Sequence, residues 1–97
     1  MNYSLIDNTE KKRYELQLPE HTPFIEYIRA KDNIYLTHTE VPKGLEGQGI
    51  GSAMVRQALE DIKEKGLTLI PLCPFVALYL KRNPDYKTLV LKGINIE

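Results

Sequence analysis

Three glycines at alternate positions, Gly47, Gly49 and Gly51, constrain this chain more than any other feature of its sequence. They follow a β-prone stretch that ends at Val41-Pro42, and they lead into residues 50–65, where apolar side chains recur every three or four positions. Glycine tolerates positive φ and has no Cβ, so another group can approach its backbone closely. Because the first amides of a helix lack intrahelical partners and lie at the positive end of its dipole, the pattern predicts a strand, a phosphate-binding turn and a helix.

Two other phosphate-binding motifs do not match this spacing. A P-loop needs Lys and then Ser or Thr after its last glycine, whereas Ile50 and Gly51 follow Gly49 here. A dinucleotide-binding fingerprint has the spacing G-x-G-x-x-G after a parallel strand, whereas this chain has G-x-G-x-G after strands that we predict to be antiparallel. A glycine-rich helix start that binds no ligand is the alternative interpretation.

The remaining pattern predicts a mixed α/β fold in a single domain, residues 1–97. The predicted strands are 3–6, 13–18, 24–30, 34–41 and 67–72. Lys65-Gly66 is a suitable end for the first helix, and Pro74 a suitable start for a second helix that stops before Pro84. The order is four antiparallel strands, a helix, a strand reached by a parallel crossover, and a helix.

Composition narrows the classes of function. Thirteen Lys and Arg balance thirteen Asp and Glu, so the chain lacks the basic excess typical of nucleic-acid-binding proteins. Its one cysteine, Cys73, cannot form an internal disulfide, and two distant histidines add no metal-ligand spacing, so we expect no metal. Neither a signal-like segment in residues 1–13 nor a membrane-length apolar run is visible. We therefore expect a cytoplasmic domain with no nucleic-acid or membrane partner.

Several short motifs occur in the order found in one enzyme superfamily. Thr39-Glu40-Val41-Pro42 followed by Gly47-Gln48-Gly49-Ile50-Gly51 resembles the acyl-CoA-binding signature of the GNAT N-acetyltransferases, a strand ending in Val-Pro, an R/Q-x-x-G-x-G/A turn and a long helix. Ala77-Leu78-Tyr79-Leu80-Lys81 resembles their second signature, a helix with the pattern A-L-Y-x-K. A narrower resemblance, over residues 33–86, is to minimal, single-domain GNAT-like proteins. The residues that carry it are His38-Thr39-Glu40-Val41-Pro42, Pro71-Leu72-Cys73-Pro74 and Arg82-Asn83-Pro84.

This resemblance implies a GNAT-like fold in which two splayed strands hold acetyl-CoA, and transfer of its acetyl group to an amine. It implies that backbone groups around Thr39 and Val41 bind the pantetheine arm and that the amides from Gln48 to Ser52 hold the pyrophosphate. The residues expected to bind the cofactor are Thr39, Val41, Gly47, Gln48, Gly49, Ile50, Gly51, Ser52 and Arg82. The acceptor, a protein segment or a small amine, is not identified by the sequence.

Four residues are candidates for the chemistry. Tyr79 matches the superfamily's usual acid, which protonates the departing thiolate, and a core aromatic is the alternative reading. His38 and Glu40 alternate onto one strand face, where either can act as a base or both can form a satisfied polar pair. Cys73 precedes the helix start at Pro74, where a thiol gains thiolate character, so it is either a nucleophile or a wall of the site. We expect direct transfer, with Cys73 as a wall of the site or a spectator.

The chain departs from the superfamily pattern at two points. Glu46 stands where relatives carry Arg or Gln, so its charge is expected to weaken pyrophosphate binding. The two helices that full-size members insert after the first strand are missing from the predicted elements, which leaves the acceptor side open. These departures favour the alternative function, an acetyl-CoA-binding module with little or no catalysis. A third interpretation is an interaction domain that has lost the cofactor.

Overall fold

The computed structural model describes residues 4–45 and 47–94, which form a five-stranded sheet with two helices packed on one face. The strands, in spatial order, are β1 (Leu5–Asn8), β2 (Arg13–Leu16), β3 (Phe24–Ala30), β4 (Asn33–Glu40) and β5 (Thr68–Pro71). The first four form an antiparallel meander, and β5 pairs with β4 in parallel. The mixed α/β fold predicted from the sequence is confirmed.

The core lies between this sheet and the first helix, α1 (Ile50–Glu64). Apolar side chains of α1 at helical spacing are fully buried, among them Met54, Val55, Leu59 and Ile62. The second helix, α2 (Pro74–Arg82), adds Val76 and Leu80 to the same cluster. Each buried side chain of this size contributes about 1.5–3 kcal/mol, so packing against the sheet fixes both helix orientations.

The ends of α1 follow from its flanking glycines. Gly49 is the N-cap, with a left-handed φ of 75°. At the other end Gly66 has a φ of 70°, and Leu67 donates a hydrogen bond to the Ile62 carbonyl while Gly66 donates to that of Lys63. This pair of bonds is the Schellman arrangement, so the predicted helix stop at Lys65-Gly66 is confirmed.

A β-bulge in β4 changes which side chains face the helices. Glu26 lies opposite His38 and Tyr27 lies opposite Leu36, so Thr37 is an extra residue on β4. Its hydroxyl donates to the Glu26 carbonyl. Directly opposite residues share a face. The bulge therefore reverses the alternation of β4 beyond Leu36.

The strands β4 and β5 separate at this bulge. Their pairing ends at Leu36 opposite Pro71, while β4 continues through residues 37–40. The amides of Leu72 and Cys73 both donate to the Leu36 carbonyl, and the chain then turns into α2. The result is the splayed pair of strands that the resemblance implied.

Several details differ from the sequence-based predictions. β2 ends at Leu16 rather than at residue 18, and the ends of β4 and β5 differ from the predicted ones by one residue each. The predicted turn after residue 6 begins later, because Asp7 and Asn8 extend β1 by pairing with Tyr14 and Arg13. After α2, residues Pro84–Leu89 form a 3-10 helix that the sequence reasoning missed. It brings Val90 beside Leu69 of β5, a contact between residues far apart in sequence. Among the described residues, no helix is both long and apolar enough to span a bilayer.

Candidate functional site

A groove of about 560 Å³ lies between the end of β4 and the beginning of α1. Its lining residues are Thr39, Glu40, Val41, Leu45, Gly47, Gly49, Ile50, Gly51, Ser52 and Phe75. We call it the first groove. The fold thus brings seven of the nine predicted cofactor-binding residues to one depression. The other two are not among its lining residues: the Gln48 side chain donates to the Gly44 carbonyl, and Arg82 lines a different groove.

The glycine turn gives the first groove its polar end. Gly47 and Gly49 have φ values of 83° and 75°, which side-chain-bearing residues rarely adopt, and a Cβ on either would meet open space. Ala53 donates to the Gly49 carbonyl over 3.0 Å. The amides of Gly49, Ile50, Gly51 and Ser52 come before this bond, at the N-terminus of α1, where helix geometry leaves the first amides without an intrahelical acceptor. An anion at this end of the groove meets these amides and the positive end of the helix dipole.

Glu46 lies outside the described residues. Its expected effect on pyrophosphate binding stays a prediction.

Phe75 forms a wall of the groove that the sequence reasoning missed. A Cβ added to Gly51 would lie 2.6 Å from the Cζ atom of the Phe75 ring, so the ring rests directly on the first turn of α1. The ring is 39 % exposed. Pro74 signalled the start of α2, but no local signal indicated that the next side chain reaches Gly51.

Cys73, the N-cap of α2, contacts the groove residue Thr39. Its Sγ atom is 3.1 Å from the Thr39 hydroxyl, and either atom can be the donor. The cysteine is buried, and its amide donates to the Leu36 carbonyl. Thr39 faces the helices because it lies opposite the buried Ile25. The thiol and the hydroxyl therefore meet where β4 and β5 separate.

His38 and Glu40 lie on the other side of the sheet. The bulge turns both away from α1, onto the face that carries Phe24 and Glu26, which we call the open face. The His38 Nε2 atom is 2.9 Å from a Glu40 carboxylate oxygen, and the two side chains are 54 % and 55 % exposed. The Phe24 ring centroid lies 6.2 Å from that of His38. The geometry is that of a polar pair at the edge of the groove, since Glu40 also lines it.

Tyr79 lies apart from the other three catalytic candidates. It lines a second groove, of about 360 Å³, together with Ser52, Phe75, Leu78, Arg82 and Asn83. Its ring centroid is 6.2 Å from that of Tyr86. Burial raises the pKa of the Tyr79 phenol, the nearby Arg56 cation opposes this rise, and Glu60 adds to it. The phenol is therefore protonated near neutral pH, on the α1 side of α2.

Among residues 4–45 and 47–94, no three His, Cys, Asp or Glu side chains lie close enough together to bind a metal ion.

Comparison with known proteins assigns the chain to a family. No curated protein matches the chain in sequence. The model of the GCN5-related N-acetyl-transferase family matches residues 13–89. This range runs from the first residue of β2 to the end of the 3-10 helix and includes both grooves. The chain therefore belongs to the GCN5-related N-acetyltransferase family.

Proposed function

We propose that this chain binds acetyl-CoA in the first groove and transfers its acetyl group directly to an amine acceptor. The observation that carries the proposal is the groove itself, which lies between the end of the β4 segment, at Thr39 and Val41, and the first amides of α1, Gly49 to Ser52, which have no intrahelical acceptor. The reaction class, acetyl transfer, is proposed because the chain belongs to a family of acetyltransferases. Acetyl-CoA brings an activated thioester, and the chain's own residues bind it and handle the protons.

The two ends of the groove suit the two ends of the proposed ligand. Beyond Leu36 no strand of the described residues pairs with the β5 side of β4, so main-chain groups on this edge can bind the amides of a pantetheine arm, as in strand addition. At the other end, the amides from Gly49 to Ser52 and the Ser52 hydroxyl surround the place where a pyrophosphate would lie. Gly47 and Gly49 have no side chains, so a ligand can approach the backbone of this turn closely.

For the base we propose His38, oriented by Glu40. An ammonium acceptor must lose a proton before its nitrogen can attack a thioester. The hydrogen bond between His38 and Glu40 fixes the imidazole, and the open face gives an acceptor access to it. A neutral imidazole takes the proton, and the carboxylate of Glu40 stabilises the resulting charge.

The two remaining candidates are better explained as walls in this geometry. Tyr79 lies in the second groove, whereas the end of the first groove that would hold the thioester is at Thr39. Cys73 is buried and shares a hydrogen bond with Thr39, and no histidine contacts its thiol among the described contacts. Direct transfer needs neither a phenol nor an acyl-cysteine, because a thiolate is stable enough to leave and be protonated by water.

The alternative function, a module that binds acetyl-CoA without useful catalysis, is favoured by one observation. A turn at residues 9–12 joins β1 directly to β2, with no helices between them. No helix of the described residues therefore walls the acceptor side beside His38 and Glu40. Mass spectrometry of cell extract incubated with the chain and acetyl-CoA separates the functions. Acetylated species in the extract would support the transferase function. Tight binding of acetyl-CoA without any acetylated species would support the binding module.

The binding site is tested by placing a charge at Ser52. Aspartate at the third position of a helix complements the helix dipole, so Ser52→Asp should keep or raise the free energy of unfolding. The same carboxylate should repel a pyrophosphate and lower acetyl-CoA affinity at least ~tenfold, which is about 1.4 kcal/mol. Ser52→Asn, of equal size and no charge, is the control. Calorimetry measures both affinities, and unchanged affinity in Ser52→Asp would refute the site.

A further inference from the structure

Side chains of the open face form two rows across β2, β3 and β4, because directly opposite residues share a face. The first row is Arg13, Glu26 and His38, and the second is Glu15, Phe24 and Glu40. Neighbouring strands lie about 4.8 Å apart, so a row spans about 10 Å. The helices pack on the other face of the sheet. The first row is therefore an open surface that ends at His38, the proposed base.

Arg13 is held in place by a buried carboxylate. Its Nε atom donates to Glu15, which also accepts a hydrogen bond from Asn8 over 3.2 Å. Glu15 is only 3 % exposed. Burial raises the pKa of its carboxyl, but the hydrogen bonds from Arg13 and Asn8 outweigh this effect and lower the pKa. Glu15 is therefore charged near neutral pH, and a buried charge of this kind requires its partner.

The Arg13 guanidinium also lies over the Phe24 ring, 4.4 Å from the ring centroid. The bond to Glu15 and this stacking restrain its orientation. Its Nη atoms take part in no hydrogen bond found among the described residues, and the side chain is 21 % exposed. A guanidinium restrained in this way offers a fork of donors to a carboxylate. The first row thus begins with a preorganised site for an anion.

Glu26 lies between Arg13 and His38 in the same row. Its side chain is exposed and takes part in none of the ion pairs found among the described residues. Arg13 lies directly opposite Glu26, but its charge is turned to Glu15 and Phe24 instead. The Glu26 carboxylate is therefore available to accept hydrogen bonds from an ammonium group of a ligand.

Resting on the proposed function, we infer that the acceptor is a free α,ω-diamino acid, such as lysine or ornithine, bound along the first row. Arg13 binds its carboxylate, Glu26 binds its α-ammonium, and His38 receives its side-chain amine. The order of cation, carboxylate and base along the row matches the order of the three groups along such a molecule. Within a peptide chain the same amino acid has neither end group free, so the row selects the free amino acid.

The transfer step uses the second ring nitrogen of His38. With Nε2 donating to Glu40, Nδ1 takes a proton from the side-chain ammonium of the acceptor. The freed lone pair bonds to the acetyl carbon, and the C–S bond breaks with its electron pair on the CoA thiolate. The second proton that the nitrogen loses passes through water to this thiolate. The products are CoA and the amino acid acetylated on its side-chain nitrogen.

Two analogues of lysine test the inference, because each lacks one recognised group. Cadaverine lacks the carboxylate, and ε-aminocaproic acid lacks the α-ammonium. With saturating acetyl-CoA, wild-type chain should acetylate lysine with a kcat/KM about tenfold above that for either analogue, which is the factor expected for one hydrogen bond to a charged group. Mass spectrometry measures the rates and should find the acetyl group of the lysine product on its side-chain nitrogen.

Two variants separate the two contacts. Arg13→Lys keeps a cation beside Glu15 but removes the fork, so it should lower the preference for lysine over cadaverine and leave the preference over ε-aminocaproic acid. Glu26→Gln should have the opposite pattern. Both variants should raise the KM for lysine and leave kcat unchanged, because they remove binding contacts while His38 is intact.

The controls are Arg29→Lys and Glu10→Gln, the same changes at exposed residues outside the row, which should keep both preferences. Equal kcat/KM for lysine and both analogues overturns this inference and leaves acetyl transfer standing. Preferences that survive Arg13→Lys and Glu26→Gln overturn the assignment to those residues. If no amine is acetylated although acetyl-CoA shifts the amides of residues 49–52, the diamino acid is wrong and the cofactor site stands. No binding of acetyl-CoA overturns the proposed function as well.

Discussion

Gly51 has no side chain, and the Phe75 ring fills the space that its Cβ would take, 2.6 Å from the Cζ atom. The superfamily pattern accepts either Gly or Ala at this position, and in this chain a ring on another helix occupies the place of the Ala methyl group. The same ring forms the boundary between the two grooves. One residue choice in α1 and one in α2 are therefore coupled through a single contact.

This coupling is measurable with a double-mutant cycle. Alanine is favoured over glycine inside a helix by about 1 kcal/mol, and Gly51 has no positive φ to oppose the change. With Phe75 present, Gly51→Ala must displace the ring and lose its packing. We expect Gly51→Ala to be about 1 kcal/mol less favourable in wild-type chain than in Phe75→Ala. Urea unfolding of the four proteins measures this. Equal effects in both backgrounds would contradict the contact.

At the scale of elements, a polar network fastens the last turn of α1 to the meander. The Lys65 ammonium lies 2.7 Å from an Asp61 carboxylate oxygen and 2.9 Å from one of Asp7 on β1. The Tyr14 hydroxyl of β2 donates to Asp61, and the Tyr27 hydroxyl of β3 donates to Asp7. One cation thus links three strands to a helix end, and burial with these hydrogen bonds raises the pKa of both phenols.

The network predicts a pH dependence of stability in the alkaline range. The hydrogen bond to Asp61 raises the Lys65 pKa despite partial burial, and Asp7 adds to the rise. Because the Lys65 pKa is higher in the folded chain than in the unfolded chain, the protonated side chain stabilises the fold in full at any pH below the unfolded pKa of about 10.4. This stabilisation is lost as the pH rises through the pKa of the folded state. We expect Lys65→Gln to lower the free energy of unfolding by about 1 kcal/mol at pH 7.

The difference between wild-type chain and Lys65→Gln should stay constant from neutral pH to about pH 9 and shrink above the unfolded lysine value. Chemical denaturation at each pH measures it, and taking the difference reduces the contribution of tyrosines that titrate in both proteins. Lys63→Gln, which removes an exposed cation from the same turn, is the control. A difference that grows with pH would exclude the network as its cause.

Across the whole molecule, the sheet separates two surfaces. The grooves lie on the helix side, whereas His38 and the exposed half of Glu40 belong to the open face. The strands part at Leu36, so the two surfaces meet beside the last residues of β4. We propose that acetyl-CoA occupies the helix side and that the acceptor arrives from the open face.

This separation predicts distinct effects on binding and catalysis. His38→Gln should leave acetyl-CoA affinity unchanged, because His38 faces away from the groove. It should lower kcat by about 10²–10⁴, the usual contribution of a positioned base. Calorimetry and steady-state assays with an amine found by mass spectrometry measure the two effects. His21→Gln, a change at the chain's other histidine, is the control. Unchanged kcat would remove His38 from the mechanism.

The sequence by itself determined the elements whose cause is local. The turn at Gly47 and Gly49, the helix stop at Gly66 and the helix start at Pro74 each follow from the φ preference of one residue or its missing amide hydrogen. Apolar spacing in α1 determined which of its faces is buried. For this reason the strand, turn and helix of the first groove could be predicted with nearly the observed boundaries.

Only the tertiary structure decided features that depend on partners far along the chain. The bulge at Thr37 arises from the register between β3 and β4, and it alone turns His38 and Glu40 away from α1. Strand pairing, against the turn preference of Asp and Asn, extended β1 through Asn8. Helix packing decided that Phe75 meets Gly51 and that Tyr79 lines the second groove. Local preference sets φ, ψ and periodicity within a few residues, whereas register and helix packing are set by contacts across the fold.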